Sequence, residues 1–172
     1  MTAPTHDYFQ VAWVVNDLEA AMRRWTETLN VGPFFVISHA RIENVRYRGG
    51  PAALDISAGL AQAGPVQIEL IEQHNEGPSA YRDSFAKGQE GFHHVCSFTS
   101  DFDAEVRHYA ELDCPIATQG SFGDMRYCYI DTRARVGHMT EVIEDRASIR
   151  AIFKMVADAA VGWDGKDPIR YL

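Results

Sequence analysis

The chain has 172 residues, 46% of them apolar and 23% charged, values that fit one globular domain and exclude a disordered chain. Its formal net charge of -8 argues against a nucleic-acid partner, because binding phosphate needs a basic surface. No apolar run approaches the roughly 20 residues of a membrane-spanning helix, and the polar start Met1 to Asp7 lacks the pattern of a secretory leader, so the expectation is a soluble, cytoplasmic protein with no membrane partner.

The first elements announce a duplication. The segment Gln10-Val-Ala-Trp-Val-Val-Asn-Asp17-Leu-Glu-Ala-Ala-Met22 aligns with His94-Val-Cys-Ser-Phe-Thr-Ser-Asp101-Phe-Asp-Ala-Glu-Val106 at a constant offset of 84. Each copy reads as an apolar strand, a polar cap and an amphipathic helix. Asn16-Asp17 and Ser100-Asp101 supply side-chain oxygens for the unpaired amides of a helix start. Leu18, Ala21, Met22, Trp25 and Leu29 then recur at helical spacing, as do Phe102, Val106, Tyr109 and Leu112 in the second copy.

Three strands follow in each copy. In the first they are a long extended stretch from Phe34 to Arg48, then Leu54 to Leu60, then Val66 to Ile71. In the second they are Ile116 to Phe122, Met125 to Asp131 and His138 to Glu144. The expected architecture is α+β: two βαβββ modules, about 8–73 and 92–145. A linker (74–91) joins them within a single domain spanning 1–172, and a C-terminal helix and tail (146–172) complete it. Tyr81, Phe85 and Ala86 are expected on one face of a short linker helix. The helical pattern Ile149, Phe153, Met155, Val156, Ala159 would cover a sheet face or a partner subunit.

Glu69 and Glu141 stand inside apolar strands at equivalent places, in Glu69-Leu-Ile-Glu72 and Glu141-Val-Ile-Glu144. Strand alternation puts Glu69 on the side of Ile71 and Glu141 on the side of Ile143. A buried carboxylate needs a positive partner, an arginine or a metal. Gln10 and His94 form a second equivalent pair at the starts of the first strands. Together the four would give a pseudo-twofold set of nitrogen and oxygen donors suited to Zn, Ni, Co, Mn or Fe, with positions left open for substrate. Neighbours on a strand face opposite ways, so His93 is expected on the other face in a structural role unless a bulge intervenes. His6, His39, His74, His108 and His138 show no ligand spacing.

Cys96, Cys114 and Cys128 are odd in number and lack C-x-x-C spacing, so reduced, buried thiols are expected. Arg46, Arg48, Arg126, Arg133 and Arg135 are expected on solvated strand edges, with one or two available to clamp a substrate carboxylate or phosphate. Trp13, Phe34, Phe35, Phe98, Phe122 and Tyr129 are candidates to line a ligand cup.

The segments Phe9 to Met22, Val66 to Ile71, Gly91-Phe-His-His-Val95 and Gly137-His-Met-Thr-Glu-Val-Ile-Glu144 resemble the vicinal-oxygen-chelate superfamily of glyoxalases, bleomycin-resistance proteins and extradiol dioxygenases. Within it the layout is most similar to methylmalonyl-CoA epimerases and glyoxalase I-like proteins. The resemblance implies that the modules form a metal-holding cup of mixed sheets, with one divalent metal on Gln10, Glu69, His94 and Glu141, and often a homodimer. It implies an epimerase or isomerase moving an α-proton beside a carbonyl through an enediolate, with Glu141 as base and Glu69 as its counterpart. The substrate would be a small molecule, an acyl-CoA or other anionic carbonyl compound. The alternatives are a glyoxalase I-like lyase and a non-catalytic small-molecule binding protein. Gln10 stands where most members carry His, which disfavours the extradiol dioxygenase reading, whereas the set Gln, Glu, His, Glu resembles that of animal glyoxalase I.

Overall fold

The computed structural model describes residues 6–172, so most of the Met1 to Asp7 start read for a leader lies outside the described residues. The first half runs β1 (Tyr8–Val14), α1 (Leu18–Leu29), β2 (Phe34–Ile37), β3 (Ile42–Tyr47), β4 (Gly50–Pro51), β5 (Ile56–Ala63) and β6 (Val66–Gln73). After α2 (Ala80–Ser84) the second half runs β7 (Gly91–Thr99), α3 (Phe102–Glu111), β8 (Ile116–Phe122), β9 (Met125–Ile130), α4 (Arg133–Val136) and β10 (Met139–Glu144). The chain ends with α5 (Ala147–Ala160) and β11 (Ile169–Tyr171). Both predicted caps form: Asp17 accepts from the Ala20 amide and Asp101 from the Ala104 amide, each satisfying a donor that the first helical turn leaves unpaired.

The strands make one curled mixed sheet in the order β11-β2-β5-β6-β1-β7-β10-β9-β8-β3-β4. Its centre is the antiparallel pair β1 and β7, each flanked by the parallel closing strand of its own half, β6 and β10. The register carries the duplication through. Ala12 pairs with Glu69 across β1–β6 and Cys96 with Glu141 across β7–β10, while Gln10 pairs with Gln67 and His94 with Met139.

Alternation along these strands separates two faces. On the convex face Ile68 and Leu70 of β6 pack with Leu18, Ala21 and Met22 of α1. The equivalent Val142, Cys128 and Ile130 pack with Phe102 and Tyr109 of α3. On the concave face Ala12, Ile71, Cys96, Tyr127, Tyr129 and Ile143 share a third core, closed by Ile149 of α5. Each fully buried aliphatic side chain in these layers contributes about 1.5–3 kcal/mol. All three cysteines are free and buried.

Two expectations need correction. The stretch Phe34 to Arg48 is not one strand: the chain turns after Ile37, where His39 takes a left-handed φ of 45°. β3 then crosses over and pairs with β8 of the second half, so the first half keeps β1, β6, β5 and β2 while lending β3 and β4 to the other. The tail does more than end a helix. It returns as β11 parallel to β2, with Trp163 lying over Gly32, where an added Cβ would sit 2.6 Å from the indole. The α5 helix covers this chain's own concave face: Val156 packs with Phe35 and Leu60, and Ile149 and Phe153 reach the cup. Among the described residues no helix is long and apolar enough to cross a membrane.

Candidate metal centre

The register brings Glu69, His94, Glu141 and Gln10 around the two small residues Ala12 and Cys96 at the middle of the concave face. His94 Nε2 lies 3.1 Å from Glu141 Oε2 and 3.4 Å from Glu69 Oε2. One donor atom from each of the three falls within 4.8 Å of the others. These contacts lack hydrogen-bond geometry, and His94 Nε2 and Glu69 Oε2 are buried without a hydrogen-bond partner among the described residues. Leaving such atoms orphaned is expensive, and a cation among them satisfies all at once. The donor set therefore fits a divalent cation of the borderline class. Gln10 lines the same cup, and its amide nitrogen donates to Gln67 Oε1 at 2.7 Å, which leaves its carbonyl oxygen as the donor for an ion.

The electrostatics point the same way. Burial opposes a charge on His94, but Glu141 and Glu69 outweigh it and hold the imidazole pKa up at about 9. Burial raises Glu69 above the ordinary carboxylate range, and the Glu141 charge adds to the rise against the pull of His94.

His93 departs from its expected place. Trp13 pairs with Phe92 and Ala12 with His94, so the pairing shifts by one residue at His93. That bulge turns His93 to the cup side, where its ring meets Tyr81, Tyr129 and His94. His93 Nε2 donates to the Ala80 carbonyl at 3.0 Å, and the two Nδ1 atoms are 2.9 Å apart. Burial keeps His93 neutral, with the nearby His94 adding to the effect. His93 Nδ1 is then the acceptor and His94 Nδ1 the donor, so a neutral His94 carries its lone pair on Nε2, facing the carboxylates.

A second group, His39, Asp55 and His74, also converges within 4.8 Å, although 35 residues separate its histidines and no spacing announced it. Its atoms are largely exposed and already matched: His39 Nδ1 to Asp55 at 2.7 Å and His74 Nε2 to the Ser57 hydroxyl at 2.8 Å. His138 is turned away, with Nδ1 bonded to the Met139 carbonyl.

Above the centre opens a small cup with a cavity volume of about 90 Å³. Of the aromatic residues proposed for it, only Phe122 and Tyr129 line it. Trp13 packs on the convex side against Trp25, Phe34 sits beside α1, Phe35 meets α5, and Phe98 stacks on Phe9. Tyr81, Tyr127 and Phe153 line the cup instead. Strand alternation from Glu141's partner Tyr129 would have pointed to Tyr127, whereas Tyr81 and Phe153 arrive from helices that no local pattern aims. Of the candidate arginines, Arg48 pairs with Asp83 and Asp131, Arg133 with Asp131, and Arg126 with Glu144 and Asp103, Arg46 donates to the Gly49 carbonyl, and none of the five lines the cup.

A duplicated α+β sheet, curled around a buried imidazole and two carboxylates at the floor of an apolar cup, defines a small-molecule site at a pseudo-twofold axis. Residues 9–129 match the model of the Glyoxalase/Bleomycin resistance protein/Dioxygenase superfamily, and the chain belongs to that superfamily. Among solved structures it is similar to a hypothetical protein of Bacillus halodurans, with TM-score 0.58 and 14% identity over 83% of this chain and 96% of the other. It is also similar to methylmalonyl-CoA epimerase of Mycobacterium tuberculosis, with TM-score 0.54 and 16% identity over 84% and 91%. A Streptomyces coelicolor methylmalonyl-CoA epimerase variant in complex with 2-nitronate-propionyl-CoA gives TM-score 0.53 and 18% identity over 82% and 95%. At these identities the likeness is one of fold. Comparison with curated proteins gives no match.

Proposed function

We propose that this chain is a metal-dependent isomerase or epimerase that moves an α-proton next to a carbonyl, with Gln10, Glu69, His94 and Glu141 holding one divalent cation. When bound, such a cation would supply polarisation of the substrate oxygens and compensation of the negative charge left when the proton is removed. Glu141, at the cup floor beside His94, removes the proton as general base. Glu69 lies across the pseudo-twofold axis, placed for return of the proton to the opposite face or to the neighbouring carbon. Return to the opposite face is epimerisation; return to the neighbouring carbon is isomerisation. The superfamily membership and the epimerase-like fold support this reading. A homodimer, common in the superfamily, is part of the proposal and is checked by light scattering.

The observation that carries it is the pair of buried atoms His94 Nε2 and Glu69 Oε2, which face each other and Glu141 and have no hydrogen-bond partner among the described residues. Two carboxylates in the set also favour a second reading, a glyoxalase-like lyase acting on a thiol adduct of a ketoaldehyde. The test begins with metal uptake by the dialysed protein, where one equivalent per chain is expected. Metal-dependent deuterium incorporation from D2O into methylmalonyl-CoA, or loss of the glutathione hemithioacetal of methylglyoxal, then separates epimerase from lyase. Sub-stoichiometric metal would make the chain a non-catalytic binding protein.

A further inference from the structure

The cup is more selective than its metal centre. Apart from Gln10, Glu69, Glu141 and three tyrosines its lining is apolar, from Ile56 and Leu60 on one wall to Phe122 and Phe153 on the other. Neither lysine nor arginine lines it. Of the arginines adjacent in sequence to lining residues, Arg41 pairs with Glu43, Arg126 with Asp103 and Glu144, and Arg150 with Asp145, all outside it. Charge balance adds a second constraint: two carboxylates and one divalent cation sum to zero. An anionic substrate would bring net charge into an apolar space with nothing in the lining to offset it, which burial opposes.

Outside the metal centre, one polar atom in the lining is uncommitted. Tyr81 and Tyr129 satisfy one another, hydroxyl to hydroxyl at 2.8 Å. Tyr127 is 4% exposed and lines the same cup, and its buried hydroxyl has no hydrogen-bond partner among the described residues. Burial, followed by the Glu141 charge, pushes its pKa upward, so it stays an O–H donor at any working pH. A buried, unmatched donor in a ligand cup asks for an acceptor on the ligand.

We propose that the cup takes an uncharged, largely apolar carbonyl compound with two neighbouring oxygens, of the α-hydroxyketone kind, and that the Tyr127 hydroxyl donates a hydrogen bond to it. The assignment rests on the metal-dependent proton transfer proposed above and replaces the anionic acyl-CoA expectation with a neutral substrate class. In the exchange step the α-C–H bond breaks, its proton passes to a site carboxylate, and the electron pair is taken up as the carbonyl becomes an enolate oxygen. Collapse of the enolate takes a proton, or a deuteron in D2O, back onto carbon, so no oxidant or reductant is needed.

The test uses the full chain loaded with Mn2+ or Zn2+, whose stoichiometry is measured first. Three probes are compared by calorimetry and by NMR of α-proton exchange: 2-hydroxyacetophenone, its 4-carboxylate, which has the same chelating end and a charge at the far end, and methylmalonyl-CoA. The neutral ketol should bind at least tenfold tighter than the carboxylate and exchange its α-protons, and methylmalonyl-CoA should do neither better. Tyr127→Phe should bind the ketol about five- to tenfold more weakly, as for the loss of one hydrogen bond, with metal stoichiometry unchanged. Protein holding one metal that prefers either anion, binds none of the three probes, or loses nothing in Tyr127→Phe overturns the assignment while leaving the proton-transfer reading standing. Failure to hold a metal overturns both. The wild-type comparison decides the substrate class even if Tyr127→Phe does not fold.

Discussion

His93 and His94 are adjacent in sequence yet do different work on the same side of the sheet. His94 offers Nε2 to the carboxylates, and His93, anchored on the Ala80 carbonyl, fixes which nitrogen of His94 carries the proton. Outer partners of this kind usually matter about 10- to 100-fold in metal affinity. His93→Ala should therefore weaken metal binding by about that factor in a chelator competition, while Glu141→Gln should abolish α-proton exchange and keep the fold by circular dichroism. Unchanged turnover in Glu141→Gln would end its role as base. The carboxylates could be read from the sequence because two apolar strands each carry one glutamate at matching places. His93 could not, because its side depends on a one-residue shift in pairing with β1, and pairing leaves no local mark. Tyr127 was readable in principle, two residues before Tyr129 on the same strand face, and was obscured by aromatics that pack elsewhere, Trp13 and Phe34 in the convex-face core and Phe35 and Phe98 on the other face.

At the level of elements, the helices and closing strands were legible because their caps and periodicities are local, whereas β3 and β11 were not, since each is made by a distant partner. The end of β10 illustrates what side chains add. Glu144 is held by the Arg126 guanidinium at 2.8 Å and by Arg146 at 3.0 Å. Its hydrogen bond to Arg126 is the main cause that holds its pKa down at about 2, from 4.5. A depressed carboxylate pKa gives stability that is complete above pH 4.5 and is lost as pH falls through about 2. Thermal melts between these limits should show wild type losing its advantage over Glu144→Gln as the medium is acidified; a pH-independent difference would contradict this. The tail is tested at Gly32. Crowding the Trp163 indole in Gly32→Ala should cost about 1–3 kcal/mol in urea unfolding. The cost should shrink when Trp163→Ala is combined with it, since the two share one contact.

The whole molecule is two copies of one supersecondary unit laid edge to edge, and that symmetry places a glutamate from each closing strand within reach of one imidazole. It also determines how the sheet ends. At one margin β2 is covered by the three residues of β11. At the other, β3 is covered only at Arg46 and Tyr47 by the two residues of β4, and its pairing with β8 is interrupted between Glu43 and Arg46, where Asn44 takes a left-handed φ of 55°. Short and broken margins offer almost no run of free backbone amides for another strand to join. The native protein should accordingly resist fibril seeding at high concentration, and thioflavin-positive aggregates should form only once the sheet itself has melted.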